Sequence, residues 1–560
     1  MMDNLEFSNI SDLIENEHIK INFGTDGFRG IMAENFDFNK ISIISSALGL
    51  YLLKKNKSKN KPDIKSDINS EGNSYSCSAI EKNNSLNEKN GINSKKNILS
   101  RSIARNASSA ATFSDIDIPS IAIGYDTRFL SKEFALSCAK NLVKMGFNVL
   151  VSDFFCPSPV LSYSVKNNLC ECGIMITASH NAFMYNGIKF KNNYGGSMLE
   201  SDVKKIEEIA NCILSDKERL PHAYFSDNAK SGELIKTDFK KKYLDHIIKI
   251  IDIGAVNSPI SKNIFVVIDP MYGAGIGYIS DALKKFSIRH RVINNSINPN
   301  FPGINPEPIE FNLKKLSRTV KKAGADNKFA VGFATDGDAD RIGAVDYKGN
   351  FIDSHKIFSI LLNYLLEEGF KGEVVKTVSV SKTIDYLCTK YKIKLHEVPI
   401  GFKNIANLMI NPENDILIGG EESGGIGIKF HIPERDGVFN SLMLLKIMLM
   451  REKNLNELLH DIYGKEYPLE YRRLDIRIDN NIKEKLIGIL KNNSFNVPFK
   501  EKIAAINLID GYKFEYTDNS WLLIRPSGTE PVLRIYAESA EKKKTELLIK
   551  KAINEINKIR

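Results

Sequence analysis

The sequence contains no apolar stretch long enough to cross a membrane. The densest apolar run, Ser441–Met450, is too short for a bilayer and includes Lys446, so it predicts a buried helix. The first residues, Met1-Met-Asp-Asn-Leu-Glu6, lack the apolar segment of a signal peptide. We therefore expect a cytoplasmic protein with no membrane partner.

Cysteine pairs and nucleotide motifs are also lacking. The 7 cysteines include no Cys-x-x-Cys pair, so we expect reduced and mostly buried thiols. There is no Walker A sequence, and Gly273-Ala-Gly-Ile-Gly277 is better explained as a tight turn than as a dinucleotide motif.

Positive charge is not spread over the chain. The sequence has 77 Lys and Arg against 68 Asp and Glu, a formal net charge of +9. Residues 54–105 alone hold 12 basic and 5 acidic residues, so the remainder is nearly neutral and no nucleic-acid partner is expected. Residues 54–113 are rich in Asn, Lys and Ser without hydrophobic periodicity, which predicts a disordered low-complexity insertion.

What the sequence does contain is an alternation of strand-like and helix-like segments. A chain of 560 residues with 42% hydrophobic content is long enough for about three or four domains. Short apolar segments such as Ile121–Tyr125 and Phe329–Ala334 alternate with helical ones up to about Leu469. This alternation predicts three tandem, related α/β domains with mostly parallel sheets, followed by a smaller α+β domain.

A hydroxyl group follows a predicted strand in the first domain. Cys172–Thr177 predicts this strand, and the run that continues to Phe190 predicts a polar turn. Open α/β sheets present reactive groups at the carboxyl ends of their strands. Ser179, with His180 and Lys189 close in sequence, is therefore a candidate nucleophile or phosphate carrier. An ordinary Ser/Asn turn would explain the same residues.

Three carboxylates follow a predicted strand in the second domain. Asp336, Asp338 and Asp340 alternate in the segment Thr335-Asp-Gly-Asp-Ala-Asp-Arg341. Such side chains can converge on a hard divalent cation, and without one they would repel each other. The alternative is an acidic turn stabilised by its own amides. We favour Mg2+, because it leaves positions open for phosphoryl oxygens.

Two later loops carry groups that suit a sugar phosphate. Gly419-Gly-Glu-Glu-Ser-Gly-Gly425 offers carboxylates and a hydroxyl to sugar hydroxyls, although a surface loop would look the same. Arg525-Pro-Ser-Gly-Thr-Glu-Pro531 offers a guanidinium fork, hydroxyls and free amides to a phosphate, although a plain hairpin could contain them. Three further residues lie in similar loops, where such a residue taken singly is more often a solvated charge or a satisfied histidine than a ligand contact: Lys403, His431 and Arg435.

Taken in this order, the motifs resemble the α-D-phosphohexomutase superfamily, most closely its phosphoglucomutase/phosphomannomutase branch. The matching segments are Gly24–Gly30, Thr177–Asn181 with Asn186–Lys189, Asp336–Arg341, Gly420–Gly424 and Arg525–Pro531. Only residues 54–113 are foreign to the pattern, and Ala182 stands where the family commonly has proline. The resemblance implies four domains around a central cleft, with boundaries at 1–222, 223–346, 347–466 and 467–560.

The resemblance also implies a role for each loop. Ser179 would be the phosphoserine and would hold one Mg2+ per chain with Asp336, Asp338 and Asp340. Lys189 or Lys403 would be the general acid/base. His180 would join the catalytic residues, and Arg29 and Arg341 would neutralise charge. Substrate contacts would come from Glu421, Ser423, His431, Arg435, Arg525, Ser527, Gly528 and Thr529.

The implied reaction interconverts hexose 1-phosphates and hexose 6-phosphates through a 1,6-bisphosphate, and glucose 1,6-bisphosphate would also act as activator. We rank glucose phosphate first, mannose phosphate second and glucosamine phosphate, the substrate of a phosphoglucosamine mutase, third. The expected partner is this small sugar phosphate, and the protein would be a monomer or dimer.

Two alternatives belong to other classes of protein. A haloacid-dehalogenase-like phosphatase would use Asp336 as its nucleophile, but would leave Ser179 and the Arg525 loop without a role. A non-catalytic sugar-phosphate-binding protein would not need every proposed reacting residue.

Overall fold

The structure, a computed structural model, describes residues 20–24, 27–59, 120–215, 232–255, 258–464, 469–492, 494–527 and 532–559. Within these ranges the chain forms four consecutive units, each built on its own β-sheet. The predicted fold class, three α/β domains followed by an α+β domain, is confirmed.

The first unit contains a six-stranded sheet in the order β1-β5-β4-β2-β3-β6. Its strands are β1 (Phe28–Ile31), β2 (Ser120–Tyr125), β3 (Asn148–Ser152), β4 (Cys172–Ile176), β5 (Tyr185–Asn192) and β6 (Leu234–Thr237). Its helices are α1 (Phe38–Lys59), α2 (Ser131–Lys144), α3 (Ser158–Asn167) and α4 (Glu200–Ser215). Strands β2, β3, β4 and β6 run parallel, whereas β5 lies antiparallel to both β4 and β1.

The second unit has a five-stranded sheet in the order β11-β10-β9-β7-β8. Its strands are β7 (Phe265–Asp269), β8 (His290–Val292), β9 (Ala330–Thr335), β10 (Ile342–Val345) and β11 (Phe351–Ile352). Its helices are α5 (Phe239–Ile251), α6 (Tyr278–Lys285) and α7 (Lys314–Gly324), with short 3-10 turns at Ile253–Ala255 and Pro259–Lys262.

The third unit has a four-stranded sheet in the order β13-β12-β14-β15. Its strands are β12 (Glu373–Thr377), β13 (Leu395–Val398), β14 (Ile416–Gly420) and β15 (Ile426–Ile428). Its helices are α8 (Ser354–Glu367), α9 (Thr383–Tyr391), α10 (Phe402–Ile410), α11 (Gly437–Arg451) and α12 (Leu455–Tyr463). Asp353 and Asp436 cap the first turns of α8 and α11 with their carboxylates, which satisfies otherwise unpaired amides.

The fourth unit is an antiparallel sheet in the order β16-β20-β19-β18-β17. Its strands are β16 (Glu470–Arg477), β17 (Ile503–Asn507), β18 (Tyr512–Tyr516), β19 (Trp521–Pro526) and β20 (Val532–Ser539). Helices α13 (Asn480–Lys491) and α14 (Lys542–Asn557), with a 3-10 turn at Lys500–Lys502, complete it. Side chains such as Leu486 and Leu548 from the helices share a core with Leu522 and Ile535 from the sheet.

One apolar core runs through the first three units. It joins Val160 and Leu161 of α3 to Tyr243 of α5, and it continues through Phe358 of α8 to Leu444 of α11. The core of the fourth unit is separate from it. The predicted buried helix at Ser441–Met450 lies within α11, and no described helix is long and apolar enough to cross a membrane. Six of the cysteines are described and are free thiols, five of them buried, whereas Cys77 lies outside the described residues.

Three expectations differ from the structure. Helix α1 continues to Lys59, so the predicted insertion at 54–113 is helical at its start, and its residues from 60 onward lie outside the described ranges. The last part of the predicted polar turn, residues 185–190, belongs instead to β5, which continues to Asn192. The first sheet also takes in Leu234–Thr237, beyond the predicted boundary at residue 222, because β6 pairs with β3.

Candidate active site

Ser179 lies in the turn between the parallel strand β4 and the antiparallel strand β5. It is buried, its φ is +52°, and its N–H donates to Thr177 Oγ1 over 2.8 Å. A non-glycine residue in this left-handed region costs about 1–2 kcal/mol, so the surroundings must hold it there. The Oγ atom donates to Asp336 Oδ2 over 2.8 Å, which joins the first unit to the second.

Arg128, at the end of β2, holds this turn in place. The guanidinium donates to the carbonyl oxygens of Ser179 and Asn181, both over 2.6 Å, and to those of Ala182 and Tyr185 over 2.9 and 3.1 Å. Asp126 neutralises it at 3.2 Å and also accepts from Thr177 Oγ1 over 2.6 Å. Arg128 is not among the residues predicted from the sequence, because its position beside the serine turn follows from the pairing of β2 with β4 in the sheet.

The three aspartates follow β9 in the second unit. All three are buried, and ligand oxygens of Asp336, Asp338 and Asp340 lie within 4.8 Å of one another. Gly337 allows this loop to approach the serine turn, because a Cβ there would lie 2.3 Å from the carbonyl oxygen of Ser179. The two loops therefore meet through a position that only glycine can occupy.

The charges in the cluster are strongly coupled. Burial, together with repulsion from Asp340 and Asp338, raises the pKa of Asp336 well above its usual range. Burial alone would also raise the pKa of Asp338. Attraction to Lys189 and hydrogen bonds from Lys189 and Ser158 outweigh that effect and lower it.

These residues fit a divalent cation. Asp338 Oδ1 and Asp340 Oδ1 are buried and accept no hydrogen bond from any described residue. Such orphaned carboxylate oxygens are costly in a protein interior unless a cation satisfies them. Hard oxygen donors are the ligands that Mg2+ prefers.

The two candidate lysines occupy different places. Lys189, on β5, is buried, and its Nζ lies 2.8 Å from Asp338 Oδ2 and 3.5 Å from Asp340 Oδ2. Lys403, in the first turn of α10, pairs instead with Glu200 of the first unit at 2.7 Å. Only Lys189 of the two contacts the aspartate cluster.

Arg435 connects the aspartate loop to the predicted sugar loop. Its Nη2 lies 2.8 Å from Asp340 Oδ2, and its Nη1 lies 3.2 Å from Glu421 Oε2. Glu421 follows β14 and is buried, and Ser423 carries a buried Oγ without a partner among the described residues. The sugar loop therefore lies beside the aspartate cluster.

His431 lies apart from the contact between Arg435 and Glu421. It belongs to a buried polar network between the second and third units. One ring nitrogen faces Asp436 Oδ2 at 2.8 Å, and the other faces His246 Nε2 at 3.1 Å. Tyr243 also donates to Asp436, over 2.7 Å. Both ring nitrogens of His431 are engaged by protein groups, so its predicted substrate contact stays a prediction that this geometry does not favour.

The remaining predicted residues surround the serine turn or lie in the fourth unit. Arg29 donates to Asn181 Oδ1 over 2.8 Å, and Arg341 lies 3.8 Å from Asp340. Burial, with Arg341 and Arg29 nearby, holds the pKa of His180 well below its usual value, so the ring is neutral. Arg525 and Ser527 lie at the end of β19, whereas Gly528 and Thr529 are outside the described residues.

Comparison with known families gives four consecutive matches. Phosphoglucomutase/phosphomannomutase α/β/α domains I, II and III match residues 91–216, 241–349 and 353–465, and the C-terminal domain of the same family matches residues 489–555. The chain belongs to the phosphoglucomutase/phosphomannomutase family. It is therefore a phosphohexomutase, an enzyme of the isomerase class, within the α-D-phosphohexomutase superfamily. The first match begins at residue 91, inside the segment 54–113 that is predicted to be an insertion.

Two curated members of the family carry different substrate names. The phosphoglucosamine mutase of Methanococcus aeolicus is 31% identical over 429 residues, which cover 75% of this chain and 87% of that protein. The phosphoglucomutase/phosphomannomutase of Thermococcus kodakarensis is 29% identical over 432 residues, covering 76% and 87%.

Solved phosphohexomutase structures share the fold. The open form of the Paramecium phosphoglucomutase parafusin covers 96% of this chain and 95% of its own, with a TM-score of 0.72 at 19% identity. An N-acetylphosphoglucosamine mutase of Aspergillus fumigatus, solved with GlcNAc-6P and magnesium, covers 72% and 92%, with a TM-score of 0.50 at 15% identity.

Proposed function

We propose that this phosphohexomutase interconverts hexose 1-phosphates and hexose 6-phosphates through phospho-Ser179, with glucose phosphate as its main substrate. The observation that carries the proposal is the hydrogen bond between Ser179 Oγ and Asp336 Oδ2, beside Lys189 and the two other aspartates. This contact supports the proposal because a hydroxyl lies beside three carboxylates that could hold a cation and an amine that could exchange a proton, all of them buried.

In the first step, the free hydroxyl of a hexose phosphate attacks the phosphorus atom of phospho-Ser179. The P–Oγ bond breaks as the bond from phosphorus to the sugar oxygen forms. In this proposal Lys189 gives a proton to the departing Oγ and takes up the hydroxyl proton in exchange. The resulting 1,6-bisphosphate turns over in the cleft. Ser179 Oγ then takes the other phosphoryl group, and the proton returns to the sugar oxygen.

Charge neutralisation is the main demand of this chemistry. Asp336, Asp338 and Asp340 would hold Mg2+, whose chemistry when bound is to neutralise phosphoryl charge. Arg29, beside the serine turn, and Arg341, beside the aspartates, add fixed positive charge. Glu421 and Ser423 would accept hydrogen bonds from sugar hydroxyls. Arg525 and Ser527 would bind the phosphate that is not being transferred.

A direct test incubates the purified protein with glucose 1-phosphate, Mg2+ and a trace of glucose 1,6-bisphosphate. We expect glucose 6-phosphate as product and phosphate on Ser179 by mass spectrometry, both abolished in Ser179→Ala. Ser215→Ala, an exposed substitution at the end of α4, is the matched control. Phosphate on Asp336 would instead support the phosphatase alternative. The absence of any product would support the alternative of a non-catalytic sugar-phosphate-binding protein.

Glucosamine phosphate, ranked third from the sequence, becomes the second candidate substrate because the Methanococcus aeolicus relative is named a phosphoglucosamine mutase. Glucose and glucosamine phosphates differ by one hydroxyl or amine, so the preference between them is expressed as a ratio of kcat/KM values. Measuring kcat/KM for glucose, mannose and glucosamine phosphates in one assay ranks the three. A higher value for glucosamine phosphate would overturn the preference for glucose.

A further inference from the structure

Asp510 contacts both the phosphate loop and the third unit. It lies between β17 and β18, and its Oδ1 accepts a hydrogen bond from Arg525 Nε over 2.8 Å. Its Oδ2 accepts one from the backbone N–H of Ile400 over 2.9 Å. Ile400 precedes α10 in the third unit, so a single carboxylate joins the two units at the arginine predicted to bind phosphate.

The contacts continue from Ile400 to the sugar loop. The next residue, Gly401, donates its backbone N–H to Glu421 Oε1 over 3.1 Å. Gly401 has a φ of +127°, a conformation that other residues rarely adopt, so the geometry depends on glycine. Glu421 in turn faces Arg435, which contacts Asp340. A continuous path of polar contacts thus runs from Arg525 to the aspartate cluster.

Other contacts between the third and fourth units do not involve Arg525. Lys513 Nζ donates to the carbonyl oxygen of Val378 over 2.8 Å, and Asn507 donates to Glu397 over 2.6 Å. The backbone N–H of Lys382 donates to Glu538 over 2.9 Å. None of these three contacts uses Asp510 or Arg525.

The guanidinium of Arg525 is held on one side only. Its Nε bond to Asp510 is the one hydrogen bond it makes to a described residue, which leaves the Nη1 and Nη2 fork for a ligand. A planar fork with a fixed Nε binds a phosphate through two parallel bonds. Burial would lower the pKa of Arg525, but the hydrogen bond and charge of Asp510 outweigh that effect and raise it.

We propose that Asp510 is a positioning residue that orients the guanidinium of Arg525 toward the non-transferring phosphate. Through Ile400 and Gly401, it also links this phosphate contact to the sugar loop when the fourth unit contacts the third. The proposal rests on the proposed phosphohexomutase reaction. In that reaction the bisphosphate must turn over without leaving the cleft. An Arg525 that is free to rotate would hold the phosphate less well, so more of the bisphosphate would escape.

The test replaces Asp510 by Asn, which keeps the shape but removes the charge and leaves one acceptor oxygen for two donors, Arg525 Nε and the N–H of Ile400. We expect KM for glucose 1-phosphate to rise about tenfold, and bisphosphate released per turnover from 32P-labelled phosphoenzyme to rise by a similar factor. Asn507→Ala is the matched control, because it removes a contact between the same two units without touching Arg525. We expect it to leave both quantities unchanged.

A double-mutant cycle separates positioning from a merely structural role. If Asp510 acts through Arg525, then Asp510→Asn adds little to the KM increase caused by Arg525→Lys. Additive effects, equal effects of Asp510→Asn and Asn507→Ala, or an unchanged KM and bisphosphate release would each overturn the proposal. Asp510→Ser serves as a second variant if thermal melting shows that Asp510→Asn does not fold.

Failure of the positioning role of Asp510 can be distinguished from failure of the proposed function. If the wild-type protein converts no hexose phosphate, the proposed function fails. The affinity for glucose 6-phosphate, measured by calorimetry on wild type and Asp510→Asn, then still tests the link to Arg525. Equal affinities would refute it, and about tenfold weaker binding in the variant would support it.

Discussion

Arg128 Nη2 lies 2.6 Å from the carbonyl oxygen of Ser179. The guanidinium spans the ends of two neighbouring strands, and it also donates to the carbonyl oxygen of Ala182, where the family commonly has proline. The turn that presents the reacting hydroxyl is therefore held by an arginine supplied by β2. Its stiffness does not require a proline at position 182.

Replacing Arg128 by Gln should damage both stability and turnover. Removing one member of a buried ion pair leaves the Asp126 carboxylate uncompensated, which costs about 3–5 kcal/mol. The loosened turn should lower kcat by about a hundredfold, since small misplacements of reacting atoms are costly. Urea unfolding and steady-state kinetics measure the two effects. The double variant Asp126→Asn/Arg128→Gln should regain stability but not kcat, and wild-type kcat in Arg128→Gln would refute the assigned role.

The two lysines should differ in their effect on turnover. Lys189 contacts the aspartate cluster and Lys403 pairs with Glu200. We therefore expect Lys189→Met to lower kcat by about 10²–10⁴-fold, the usual contribution of a general acid or base. Lys403→Met is matched in chemistry and should change kcat by much less. A larger loss of kcat in Lys403→Met than in Lys189→Met would assign the proton transfer to Lys403.

Loss of a single aspartate should weaken cation binding. Asp340→Asn removes a charge and replaces a carboxylate whose Oδ1 accepts no hydrogen bond from a described residue. We therefore expect Mg2+ affinity to fall by more than about 100-fold. This is a larger loss than is usual for residues that only support a metal ligand. Calorimetric titration of Mg2+ measures this directly. Asp326→Asn, an exposed substitution in the second unit, is the control. Equal affinities in the two variants would place the cation elsewhere.

The network around His431 should make stability depend on pH. Burial and the nearby His431 lower the pKa of His246 from 6.5 to about 4. Between these values the unfolded chain binds more protons than the folded one, so stability falls as the pH is lowered through that window. His246→Gln should show a smaller fall in Tm between pH 7 and pH 4 than the wild type. Equal falls in Tm in the wild type and in His246→Gln would show that His246 does not contribute to the pH dependence of stability.

The sequence was sufficient to predict the strands that carry the reacting loops, because each is a short apolar segment followed by polar residues. β4 before Ser179 and β9 before Asp336 both lie within a residue or two of their predicted ends. β5 was missed because it contains Asn, Gly and two lysines, a composition typical of turns. It is a strand because its neighbours pair with it on both sides, and buried carboxylates compensate both lysines.

Long-range side-chain contacts were beyond sequence analysis. The pattern at Asp126–Arg128 gives no indication that the guanidinium contacts carbonyls more than 50 residues away, since that contact follows from the sheet order. Likewise, the histidine of His431-Ile-Pro-Glu-Arg-Asp-Gly437 was expected at the substrate, whereas pairing with His246 and Asp436 places it between two units.

The continuous apolar core of the first three units has a consequence for thermal denaturation. Because these units share this core, although each also has a smaller or separate core of its own, unfolding one of them exposes apolar surface of its neighbours. Scanning calorimetry should therefore record one cooperative endotherm for these three units. The fourth unit has a core of its own but also shares a small apolar cluster, Val378 with Trp521, Leu523 and Tyr536, with the third unit. It should therefore contribute a second endotherm that partly overlaps the first.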